Sequence, residues 1–160
     1  MPLLLSDAAE LFKLIQANRT LLAEYLYWLD SVIDVQSTEQ YISERVDSGM
    51  PGAQWFKLIV DGKLAGIFGV KSVFEEKQRA EIGYWLGSAF HGKGVMKSAI
   101  RYFQKHLANL QIDTLMICVL SENSSSINLA TALGAQLAER KENYMTLADR
   151  NQDLLVFHLC

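Results

Sequence analysis

The run RAEIGYWLGSAFHGKGVMKSAIRYF, from Arg79 to Phe103, restricts the fold of this chain more than any other stretch. Its first part, RAEIGYWLG, reads as a strand. Its last part places Met96, Ala99, Ile100 and Phe103 at helical spacing. Between them lie Gly87, Gly92 and Gly94. A strand that passes through a glycine turn straight into a helix leaves the helix's first N–H groups free, beside backbone that carries no side chains. Those donors and the positive end of the helix dipole attract phosphate. The same two loop glycines would also serve a plain tight turn.

Which phosphate the loop could take is narrowed by what is missing. Gly87, Gly92 and Lys93 follow the spacing of a nucleoside-triphosphate loop. Gly94, however, stands where a Ser or Thr hydroxyl should bind magnesium. No strand ends in a convincing second, metal-binding aspartate, and the strand before the loop belongs to an antiparallel series. Triphosphate hydrolysis is therefore set aside. The dinucleotide fingerprint also fails, because no third glycine follows at its spacing.

The remaining elements follow from periodicity and turn chemistry. Residues 1–5 suggest a short first strand, and Ser6 an N-cap for a helix burying Leu11, Leu14 and Ile15. TLLAEYLYWLD suggests a second helix, and Ser37 with Gln40 a capping box opening a third, which Gly49 can end. AQWFKLIVDGKLAGIFGVK predicts a hairpin about Asp61-Gly62. DTLMICVL predicts a strand buried on both faces. SSSINLATALGA predicts a short helix closed by Gly134, and residues 136–158 a last pair of strands. This order describes a mixed α/β sheet with one strand–helix–strand crossover.

The 160 residues suit one domain spanning 1–160. Half are hydrophobic, enough for one substantial core, and the net charge of −3 gives no basic footprint for nucleic acid. The start lacks a basic, then apolar, secretion signal, and no apolar run is long enough to span a bilayer. Cys118 and Cys160 read as reduced thiols. A cytoplasmic protein with no membrane or nucleic-acid partner is expected. His91, His106 and His158 have no ligand-like spacing with Cys, Asp or Glu, so no metal is expected.

AEIGYWLGSAFHGKGVMKSAIRYF, followed by VLSENSSSINLATALGAQL, resembles the GCN5-related N-acetyltransferase (GNAT) superfamily, and most of all its ribosomal-protein N-terminal, Rim-type, branch. The family's pyrophosphate loop, [QR]-x-x-G-x-[GA], falls on His91, Gly92, Lys93, Gly94, Val95 and Met96, with His91 and Met96 departing from the pattern. Its second block falls on Asn123, Ser126 and Gly134, with Ala135 in place of the usual aromatic. The two blocks cover about half the chain. The resemblance implies a mostly antiparallel central sheet of six to seven strands, splayed between the fourth and fifth and flanked by helices. The N-terminal first strand looks cut short.

The resemblance also implies acetyl transfer from acetyl-CoA to an amine within a ternary complex. The main chain of Tyr84, Trp85 and Leu86 would cradle the pantetheine and stabilise charge on the thioester oxygen. Asn123 would bond the pantetheine amide, and Ser126 would be the donor for the leaving thiolate. Tyr144 is a rival donor, more in keeping with packing. Glu81, the ionisable residue in the middle of an apolar strand, is the first candidate base, since burial would raise its pKa. An ion pair with Arg79 or Lys71 is its structural alternative. Glu75 and Glu76 are second candidates for the base. YLYWLDSVIDVQSTEQ, with Asp30, Asp34 and Glu39, could rim a cationic acceptor or serve as an ordinary amphipathic helix. The expected acceptor is a protein N-terminal α-amine of the ribosomal-protein type. A small-molecule amine and a non-catalytic acyl-CoA-binding module are the alternatives. Relatives often pair, so a homodimer is expected by analogy.

Overall fold

The computed structural model describes residues 1–160. Its N-terminal third holds α1 (Ala8–Ala17), a four-residue α2 (Arg19–Leu22) and α3 (Val35–Val46). Three expectations are corrected here. Residues 1–5 form no strand. A single bridge joins Pro2 to Phe56, and the chain then turns at Leu5–Asp7 because the Asp7 carboxylate accepts from Leu4 N–H and from Lys57. Ser6 lies inside that turn rather than capping a helix. The second helix stops at Leu22, since Arg19 reaches across to the carbonyls of Leu29 and Val32 and folds the intervening segment back as a loop.

The third helix starts three residues earlier than the Ser37–Gln40 pattern predicts. Asp34 accepts from Ser37 N–H at 2.7 Å, and Ser37 Oγ accepts from Asp34 N–H at 3.0 Å, so Ser37 closes the capping box instead of opening it. Hydrogen bonds from the Ser37 hydroxyl and amide hold the Asp34 carboxyl below its usual 3.8. A group whose pKa is depressed on folding stabilises above its unfolded pKa, and that contribution fades as pH falls through the lower folded value. Asp34→Ala is therefore expected to lower the melting temperature at pH 7, with the difference shrinking as pH falls below the usual carboxylate range. Thermal scans of both proteins across this range check it.

Six strands follow. β1 (Gln54–Val60) and β2 (Lys63–Phe74) form the hairpin expected at Asp61-Gly62, whose φ values of +50° and +74° match the strand twist. β3 (Arg79–Leu86) returns beside β2. α4 (Val95–Ala108) carries the chain over one face to β4 (Thr114–Leu120). α5 (Ser124–Leu133) ends at Gly134, at φ +85°, and β5 (Gln136–Leu147) with β6 (Arg150–Leu159) closes the chain. The order is β1-β2-β3-β4-β6-β5, antiparallel everywhere except between β3 and β4.

Both faces of the sheet are covered. Phe68, Ile82, Ile117 and Phe157 meet α4 and α5 through Met96, Ile100, Phe103 and Leu133. Phe68 stacks on Phe103 with ring centroids 4.4 Å apart. On the other face Ile67 and Trp85 pack beneath Leu11, Ile15, Tyr41 and Ile42 of the N-terminal helices. The alternation of strand side chains thus sends Tyr84 toward α4 and α5, and Glu81 and Trp85 toward the N-terminal helices. No helix is long and apolar enough to cross a membrane.

Candidate active site

The parallel pair separates part-way. Arg79–Ile82 pair with Thr114–Ile117, and beyond Ile82 and Ile117 the two strands no longer pair. With the first strand reduced to a bridge, the fork falls between the third and fourth of six strands. The register decides which main-chain groups face it. Gly87 N–H donates to Ala65 O at 2.8 Å, so in strict alternation Trp85 and Gly83 also bond β2. Tyr84 and Leu86 then turn their N–H and C=O groups into the fork. His91 Nε2 donates to Leu86 O at 2.9 Å, which agrees with that direction. Trp85 does not fit the expected main-chain role. Its contribution is its buried indole, which donates to Tyr41 Oη at 3.2 Å.

At the mouth of the fork the glycine loop enters α4. Gly92 and Gly94 sit at φ +71° and +73°, and a Cβ on either would project into open space. The first main-chain bond of the helix runs from Ser98 N–H to Gly94 O at 2.9 Å. The amides of Gly92, Lys93, Gly94, Val95, Met96 and Lys97 consequently have no acceptor in the protein. The Met96 side chain is buried in the core, so only its amide belongs to the loop. His91 is turned to Leu86, and Lys93 lies over the Phe90 ring. This loop is a main-chain device.

Across the fork, Asn123 Oδ1 accepts from Ser126 N–H at 3.1 Å and caps α5. Tyr84, Cys118, Asn123 and Ser126 line one cavity of about 460 Å³ together with Glu81 and Lys71. The Tyr84 hydroxyl is buried without a hydrogen-bond partner. Burial raises its pKa, and the Ser126 side chain opposes the rise. Burial, followed by the nearby Glu81 charge, pushes the Cys118 thiol up to about 11. Free donors at a helix start, open space above two glycines and a groove between parted strands together fit a diphosphate joined to a long, amide-bearing arm.

A family model described as an acetyltransferase (GNAT) domain matches residues 1–136. The chain belongs to the GNAT acetyltransferases. It transfers an acetyl group from acetyl-CoA to an amine. It is 24% identical over 157 residues to YdaF of Bacillus subtilis, provisionally named a ribosomal N-acetyltransferase, covering 96% of this chain and 85% of that one. It is 28% identical over 99 residues to the ribosomal-protein-serine acetyltransferase of Escherichia coli, covering 61% and 55%. RimL, an acetyltransferase of ribosomal L7/L12 solved with coenzyme A, shares the fold at a TM-score of 0.89 and 20% identity, covering 98% and 90%. The microcin C7 self-immunity acetyltransferase MccE, solved with acetyl-CoA and AMP, does so at 0.86 and 22%, covering 98% and 88%.

In this GNAT enzyme Tyr25, Trp28, Tyr41 and Trp55 wall the cavity on the side of the N-terminal helices. The Arg45 guanidinium lies 3.5 Å from the Tyr41 ring centroid. Glu81 is bonded by Lys71, so it is not the isolated carboxylate expected of an apolar strand. Glu75 and Glu76 are exposed on the turn before β3, away from the fork, and do not line the cavity. The rim acids of the N-terminal segment are also elsewhere: Asp34 caps α3, and Asp30 and Glu39 do not line the cavity. The carboxylates that do are Glu81 and Glu139, beside Lys71, Lys141 and Arg45. Tyr144 does line it. Sequence reasoning missed Cys118 as a site residue. The strand period could have found it, since Cys118 alternates with the core residues Ile117 and Val119. No cluster of His, Cys, Asp and Glu is placed to hold a metal ion.

Proposed function

We propose that this chain, folded as one domain over residues 1–160, acetylates a protein N-terminal α-amine of the ribosomal-protein type. The observation that carries the acyl-donor half is the row of acceptor-free amides from Gly92 to Lys97, set at the mouth of the fork. Those amides would take the diphosphate of acetyl-CoA, and the N–H groups of Tyr84 and Leu86 would face the arm and the thioester oxygen. The acceptor half rests on the relatives named for ribosomal proteins.

Glu81 is the base in this reading, directly or through one water. The demand on it is small. An α-amine of pKa near 8 costs only about 1 kcal/mol to deprotonate at pH 7, whereas a lysine side chain costs several times as much. Main-chain N–H groups of Tyr84 and Leu86 stabilise the charge that develops on the carbonyl oxygen, already aimed and so needing no rearrangement. Ser126 donates a hydrogen bond to the sulfur as the C–S bond breaks, and the thiolate leaves as a thiol with the proton that the attacking nitrogen gives up on becoming an amide. Cys118 stays protonated at neutral pH because its pKa is near 11. A protonated thiol is a poor nucleophile, which favours direct attack by the amine over an acetyl-cysteine step.

Thiol release from acetyl-CoA, measured against peptides with free N-termini, polyamines and an aminoglycoside, tests the reading. Turnover is expected with peptides and not with their N-terminally blocked forms. Turnover confined to a polyamine or aminoglycoside would overturn the acceptor assignment. Binding of acetyl-CoA without turnover of any amine would make the chain a non-catalytic binding module.

A further inference from the structure

Buried hydroxyls almost always have a partner, and each exception asks for a reason. Tyr84 is such an exception. Its hydroxyl is buried with no partner, although phenylalanine would fill the same space without that cost. The ring packs toward α4 and α5, and the hydroxyl stands beside Ser126 in the wall of the fork. Ser126 is anchored only through its amide, to Asn123 Oδ1, so its hydroxyl is free to turn.

We propose that the Tyr84 phenol positions the leaving-group donor: it donates to Ser126 Oγ, and so directs the serine O–H at the sulfur. A serine hydroxyl has one proton and two lone pairs. With a lone pair held by the phenol, its proton points away from Tyr84 and into the fork. Tyr84 keeps its own proton throughout, in keeping with a burial-raised pKa. It is therefore a positioning residue, acting through Ser126 and not on the substrate. The inference rests on the reading of Ser126 as the thiolate's donor.

Tyr84→Phe, Ser126→Ala and the double variant, compared by steady-state kinetics and melting temperature, test it. Tyr84→Phe is expected to lower kcat about tenfold, the scale of one hydrogen bond, with KM for acetyl-CoA changed less than about twofold. The double variant should be no slower than Ser126→Ala alone. The melting temperature of Tyr84→Phe should change little, because phenylalanine fills the same space and only one hydroxyl's bond is lost. Wild-type kcat in Tyr84→Phe, or losses that multiply in the double variant, would overturn the proposal while leaving Ser126 in place. A raised KM with unchanged kcat would make the phenol a binding group for the pantetheine arm instead. An unaffected Ser126→Ala would remove Ser126 as donor and this proposal with it.

Discussion

Gly94→Trp is expected to weaken acetyl-CoA binding about 100-fold or more while leaving the fold in place. A factor of 100 is about 2.7 kcal/mol, the worth of one or two hydrogen bonds to a charged group at ~1.5–3 kcal/mol each. The indole would project into the open space above the loop, where nothing in the protein lies within 4 Å of a Cβ. It would thereby cover the amides that would face a diphosphate. The fold should lose only the strain of a side chain at φ +73°, about 1–2 kcal/mol. Gly49 is the control, with φ +68° and equally open surroundings but a position far from the fork in the chain. Gly49→Trp should cost similar stability and leave affinity untouched. Calorimetric titration with acetyl-CoA and a thermal scan of each variant separate the two effects. Unchanged affinity in Gly94→Trp would remove the loop from the binding site.

Glu81→Gln is expected to lower kcat/KM at pH 7 about 100-fold, within the ~10²–10⁴ range of general base catalysis. The deficit should narrow as pH rises past the acceptor's own pKa near 8, because solvent then supplies the free amine that Glu81 otherwise provides. A structural role predicts something different. Glu81 and Lys71 form a partly exposed pair, their side chains 23% and 46% accessible, and such pairs contribute about 1 kcal/mol or less. Removing the pair should therefore move the melting point little. A pH-independent deficit accompanied by a large fall in melting temperature would make Glu81 a structural residue. Pre-steady-state and steady-state rates between pH 6 and 9 check the profile.

How much was legible beforehand depended on how local the physics was. Asp61-Gly62 specifies its hairpin through two adjacent residues, and Gly134 ends α5 by its own freedom to adopt positive φ. The glycine loop is of the same kind, since free amides at a helix start follow from helix geometry in any context. The failures were long-range. Arg19 unwinds the expected second helix by binding carbonyls ten and thirteen residues away. The start of α3 is the exception, since Asp34 and Ser37 bond each other only three residues apart. Lys71 was open as a partner of Glu81, but only the β2–β3 register, with its bulge between Val70 and Ser72, sets the two side by side.

Two classes of statement can now be separated. Spacing along the chain was enough for the glycine loop with its free amides and for the crossover that follows it, and the resemblance of two blocks was enough for the enzyme family, because each depends on residues close in sequence. The fork's exposed groups, the pairing of Glu81, the placement of Glu75 outside the cavity and the partnerless Tyr84 hydroxyl depend on the distance between strands that are remote in sequence. No local rule contains that distance. It is set by where β3 and β4 stop pairing, and therefore by how two cores pack on opposite faces of one sheet.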